Sequence, residues 1–162
     1  MAIWQAHGTA IQRVVDRVIY IKVMGGFNLE GAEDNSNKIM QKVSAHFNDG
    51  EAWANFHDLT HFELGTPDLK DVAERHYQWS LKQGMTHEAI LAPNMMAREM
   101  MQMMLKPFSD SAYFAYFDTM EEALDWLVTQ GFLKNESKSV LNTLKRPDCT
   151  VIDTQPGARP PY

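Results

Sequence analysis

One cysteine, Cys149, stands among the 162 residues. No internal disulfide can form, and a reducing, cytoplasmic setting is expected. No apolar run approaches the ~20 residues of a membrane-spanning helix, so an integral membrane protein is not expected. The stretch from Met1 to Arg17 is interrupted by charges and lacks the apolar core of a signal peptide. A basic excess is missing as well. The formal net charge is −6 at pH 7, which argues against nucleic acid as a partner, because phosphates require a cationic face. Neither a Gly-x-Ser-x-Gly elbow nor a Gly-x-x-x-x-Gly-Lys loop occurs, which excludes the nucleophile-elbow and P-loop classes. Cys149 lies in a proline-containing stretch with no histidine near it in sequence, and is not read as a nucleophile. No catalytic residue and no cofactor is assigned.

What is there reads as one folded domain. Hydrophobic residues make up 44% of the chain and charged residues 22%, a balance that disorder does not allow. At this length a single domain buries on the order of 70% of its unfolded surface. Ile11, Val14 and Val15 lead into Asp16-Arg17, and Val18, Ile19, Tyr20, Ile21 and Val23 follow as a β-branched, aromatic run. This predicts a strand pair between Ala10 and Lys22, its second member central and buried on both faces. Met24-Gly25-Gly26 ends it. A helix is expected between Leu29 and Asn48, with Ile39, Met40, Val43 and Phe47 on one stripe.

A strand over Ala52 to Asp58 is predicted to run into a turn from Leu59 to Gly65. Thr66-Pro67 then reads as an N-cap with proline at the first helical position. The inner stripe of that helix is Leu69, Val72, Ala73, His76, Trp79 and Ser80, and Gly84 follows its end. A strand from Glu88 to Ala92 stops at Pro93-Asn94. A methionine-rich helix from about Asn94 to Leu105 follows, then a strand from Ala112 to Phe117. Thr119 with Glu122 forms a capping box for a helix from Met120 to Gln130. The expected fold is α/β with a mixed sheet of four or five strands and about four helices. The domain is expected to span residues 1–133. Residues 134–162, which hold four of the seven prolines, read as a short helix around Ser137 to Leu144 followed by a mobile tail.

Two features invite chemistry. His57 and His61 are separated by three residues, a spacing that on a helix puts both imidazoles on one face, as a metal ion requires. Here the pair is expected at a strand end and turn, where that spacing has no such meaning, so a metal-dependent enzyme is a weak reading and no metal site is assigned. His76, on the inner stripe of its helix, reads as a half-buried, hydrogen-bonded residue. Six of the eleven methionines (Met95, Met96, Met100, Met101, Met103, Met104) fall on the helix after Asn94. Arg98, Glu99 and Gln102 leave them a wide apolar arc. Such an arc packs a core, forms a homodimer contact, or adapts to varied apolar shapes.

Four segments, in order, are similar to the STAS domain, the sulphate-transporter and anti-sigma-antagonist module, and more narrowly resemble its stand-alone SpoIIAA-like branch. They are Val18-Ile-Tyr-Ile-Lys-Val-Met-Gly-Gly-Phe-Asn28, Trp53-Ala-Asn-Phe-His-Asp-Leu-Thr60, His87-Glu-Ala-Ile-Leu-Ala-Pro-Asn94 and Tyr116-Phe-Asp-Thr-Met-Glu-Glu-Ala-Leu-Asp-Trp-Leu127. The resemblance implies a non-enzymatic binding or regulatory module. In the anti-sigma antagonists a serine in the turn before the second helix is phosphorylated by a partner kinase. In this chain Leu64 and Gly65 stand at the serine positions, and Thr66 is the nearest hydroxyl. Thr66 is therefore the candidate for regulatory phosphorylation, with a protein as partner.

The same branch shares its overall shape with the CRAL-TRIO lipid-binding domains, which hold a lipophilic molecule beneath such a helix. That implies an apolar small molecule or lipid under the methionine helix and the turn from Thr60 to Thr66. The candidate ligand-binding residues are Phe62, Leu64, Trp79, Met96, Met100, Met103 and Met104.

Overall fold

A computed structural model describes residues 5–145. The chain opens with a hairpin of β1 (Thr9–Val15) and β2 (Val18–Gly25), paired antiparallel from Thr9↔Met24 to Val15↔Val18. Asp16 turns it at φ 52°, a left-handed conformation that aspartate tolerates in tight turns. There follow α1 (Leu29–His46), β3 (Trp53–Phe62), α2 (Leu69–Lys82), β4 (Met85–Leu91), α3 (Met95–Leu105), β5 (Tyr113–Phe117) and α4 (Met120–Thr129). A short α5 (Lys138–Asn142), with a 3-10 turn on either side, closes the described chain. The five strands lie in the order β1-β2-β3-β4-β5, and β2 to β5 run parallel. The fold is α/β with a mixed five-stranded sheet, as the element order predicts.

Strand order equal to chain order has a direct consequence. Right-handed crossovers that all step the same way put their helices on one face. Ile19, Ile21 and Val23 of β2 accordingly pack with Ile39 and Val43 of α1, Tyr77 of α2, and Met101 and Leu105 of α3. The opposite face takes Val18 and Tyr20, with Phe56, Ala89, and Met120, Leu124 and Leu127 of α4. β2 is therefore buried on both sides from Val18 to Val23.

Three expectations are corrected. β3 does not turn at Leu59; it continues to Phe62, because Met24 and Gly25 at the end of β2 pair with His61 and Phe62 beyond an irregularity at Lys22/Met24. His57 and His61 thus both lie in a strand, where four residues span about 13 Å. Thr66 is not the N-cap of α2. Its carbonyl accepts the Leu69 N–H at 3.1 Å in a turn that delivers the chain to a helix starting at Leu69. β4 begins at Met85, three residues before the predicted start, where Met85 is buried beside Trp53.

Residues 134–145 pack on the α4 face. Leu141 and Leu144 are buried there, Lys138 pairs with Asp125 of α4, and the Lys22 ammonium donates to the Leu144 carbonyl at 2.8 Å. The remainder of the predicted tail, with Cys149 and its prolines, lies outside the described residues.

Candidate functional site

α2 and α3 each lay one apolar stripe over the sheet beside α1. Between these helices and strands β2 and β3 lies a cavity of about 120 Å³, partly open to solvent. Its apolar wall is built by Val23 of β2, Ile39 of α1, Phe62 of β3, Leu69 and Val72 of α2, and Met100 and Met104 of α3. The positions of the two methionines follow from helix period: four residues apart, they share one face. Asn94 starts that helix by accepting from the Met96 and Ala97 N–H groups at 2.8 and 3.4 Å.

The floor is polar. Asn55 and His57 of β3 project to the helix-covered face two residues apart, as strand alternation requires. Glu88 of β4 is the register partner of Asn55 and is fully buried. Its carboxylate accepts the Tyr77 hydroxyl at 2.8 Å, His57 Nδ1 at 3.3 Å and the Asn55 amide at 3.5 Å. A buried carboxylate needs such a set, because its desolvation is otherwise uncompensated. The Tyr77 hydroxyl is pushed well above its ordinary pKa, first by burial and then by the adjacent Glu88 charge. The same two causes raise Tyr116 to about 12. Phe114 stands edge-on to Tyr77 with ring centroids 6.2 Å apart, backing it from β5.

His76 of α2 also lines the cavity. Its Nδ1 is 2.8 Å from Ser36 Oγ of α1, and its Nε2 is 3.5 Å from Ser80 Oγ. Burial first, and then His57, lower its pKa to about 4, so the ring is neutral at pH 7.

Of the ligand-binding residues expected from sequence, Phe62, Met100 and Met104 meet at the cavity. Met96, Met103 and Leu64 do not line it and are 57%, 77% and 58% exposed. Trp79 packs at the margin of the core, its ring tilted against His76 at 6.4 Å. Thr66 is exposed in the turn before α2. Sequence reasoning passed over Asn55 and Glu88, and weighed His57 only as a metal ligand. The available signal was a polar residue at an inward position of a predicted strand. No three His, Cys, Asp or Glu side chains are grouped to hold a metal among the described residues. No helix among them is long and apolar enough to cross a membrane.

The architecture is similar to that of an uncharacterised DUF3478-family protein with a SpoIIAA-like fold from Shewanella loihica PV-4. The TM-score is 0.57 at 13% identity, covering 78% of this chain and 98% of that one. The fold is SpoIIAA-like. Weaker likenesses, both at TM-score 0.49, are to the anti-sigma factor antagonist SpoIIAA in its unphosphorylated form and to the Bacillus cell fate determinant SpoIIAA in its phosphorylated form. The first is 16% identical over 77% of this chain and 99% of that one. The second is 17% identical over 75% and 99%. No family model matches the chain, and no curated protein matches it. The SpoIIAA-like turn before α2 has no serine here: Leu64 is exposed, and Gly65 sits so close to Leu69 that a Cβ there would meet Leu69 Cδ1 at 1.9 Å.

Proposed function

We propose that this chain is a non-catalytic binding module that holds a small, mainly apolar molecule in the cavity between β2, β3 and α1 to α3. The observation that carries this reading is a mainly apolar cavity with a few polar side chains set into it from α1, α2 and β3, a pattern typical of small-molecule sites. A cavity of about 150 Å³ lined by Leu, Ile and Phe takes benzene, so this one suits a ligand of single-ring size or the end of a longer chain. Met100 and Met104 adapt to its shape through their flexible thioethers.

Native mass spectrometry of protein purified under mild conditions tests the reading, followed by the same sample denatured. The expected result is an excess mass that disappears on denaturation and is recovered in organic solvent. Met104→Trp, which adds bulk to the cavity lining, is expected to abolish the excess while the fold persists. A clean apo mass, together with unmoved Met100 and Met104 methyl signals on adding benzene, overturns it.

A second reading is a regulatory protein-interaction module. Its support is the outer face of α3 and the neighbouring β5, where Met95, Met103 and Tyr113 are more than 70% exposed. Large apolar side chains grouped on a surface mark contact sites. Co-purification of a protein that Met103→Glu releases supports this reading against the first.

A further inference from the structure

Asn55 and His57 stand at the floor of the cavity beside the buried Glu88 carboxylate. The Asn55 amide nitrogen faces Glu88 Oε2 and Met85 Sδ, which fixes the orientation of the amide, because a carboxylate repels a carbonyl oxygen. Asn55 Oδ1 is thereby left buried with no hydrogen-bond partner among the described residues. His57 meets Glu88 through Nδ1. A carboxylate only accepts, so Nδ1 carries the proton that faces Glu88. The Tyr77 hydroxyl already donates its hydrogen bond to Glu88, and Ser36 is engaged with His76.

No lysine or arginine lines the cavity, while Glu88 holds a negative charge directly behind its floor. An anionic head such as that of a fatty acid finds no lysine or arginine there and is repelled by the Glu88 carboxylate. A pure hydrocarbon leaves Asn55 Oδ1 unpaired, at the full cost of an orphaned buried acceptor.

Resting on the binding reading above, we propose that the cavity selects an uncharged, single-ring-sized apolar molecule bearing one hydroxyl or N–H donor, received by Asn55 Oδ1. The ligand class is that of phenols and small apolar alcohols or amides.

The test is an NMR titration of methyl-labelled methionine protein with benzene, phenol and benzoate, which share a ring and differ in the polar group. Met100, Met101 and Met104 methyl shifts report binding. Phenol is expected to bind about tenfold more tightly than benzene, the worth of one acceptor satisfied in place of orphaned, and benzoate more weakly than either. In Asn55→Leu, close in shape, phenol loses that advantage while benzene still binds. Benzene binding as tightly as phenol overturns the inference and leaves the binding reading standing, and so does benzoate binding tightest. A phenol preference undiminished in Asn55→Leu overturns the assignment to Asn55. If that variant does not fold, the three-ligand series on the unaltered protein decides. No methyl response to any of the three overturns the binding reading itself.

Discussion

The Tyr77 hydroxyl donates to Glu88 Oε1 across 2.8 Å inside the core, tying the middle of α2 to the sheet beneath it. Glu88 receives two further groups from β3, His57 and Asn55. One carboxylate therefore links β3, β4 and α2 at the floor of the cavity. Hydrogen bonds to a charged group contribute more than neutral ones, and a buried charge that loses a donor keeps its desolvation cost.

Tyr77→Phe removes one donor and leaves the ring in place against Phe108 and Phe114. A loss of about 2 kcal/mol is expected, read from urea unfolding at pH 7. A change below a few tenths contradicts the role given to this bond.

Stability is expected to fall in mild acid because of His76. Its folded pKa is about 4, below the ordinary imidazole value of 6.5, so the unfolded chain binds the extra proton between those values. The contribution is complete above pH 6.5, is lost as pH falls toward 4, and changes no further below that. It amounts to at most about 3 kcal/mol. Unfolding curves from pH 7 to 4 should show a shallower pH slope for His76→Gln than for the unaltered protein. Equal slopes count against it.

Leu141 is completely buried against α4 although it lies beyond the last long helix. Leu141→Ala should cost about 3 kcal/mol, transfer and cavity terms together. Met103→Ala, on the exposed side of α3, should stay within about 0.5 kcal/mol. Parity between the two would mean that residues 134–145 add nothing to the core.

The capping box of α4 closes from both sides: Thr119 Oγ1 accepts the Glu122 N–H at 3.3 Å, and Glu122 Oε2 accepts the Thr119 N–H at 3.3 Å. Thr119→Ala is expected to cost about 1 kcal/mol, and faster amide exchange in the first turn of α4 is its local signature.

Local chemistry alone determined much of this protein. Asp16-Arg17 between two β-branched runs made the hairpin. Val18 to Val23 marked the strand covered on both sides, Asn94 and Thr119 set the starts of α3 and α4, and the order of elements implied the mixed sheet. Each of these depends on residues within a few positions of one another, so the sequence carries the whole signal.

Tertiary structure decided the rest. β3 runs on to Phe62 because Met24 and Gly25 are there to pair with it. α2 starts at Leu69, since the turn at Thr66 spends the residues that local preference assigns to the helix. Of the methionines on α3, only packing against the sheet separates Met100 and Met104 at the cavity from Met96 and Met103 in solvent. The floor of Asn55, His57, Tyr77 and Glu88 joins residues up to 33 positions apart. A buried carboxylate is stable only where several distant donors converge on it, and that convergence exists only once β3, β4 and α2 have packed.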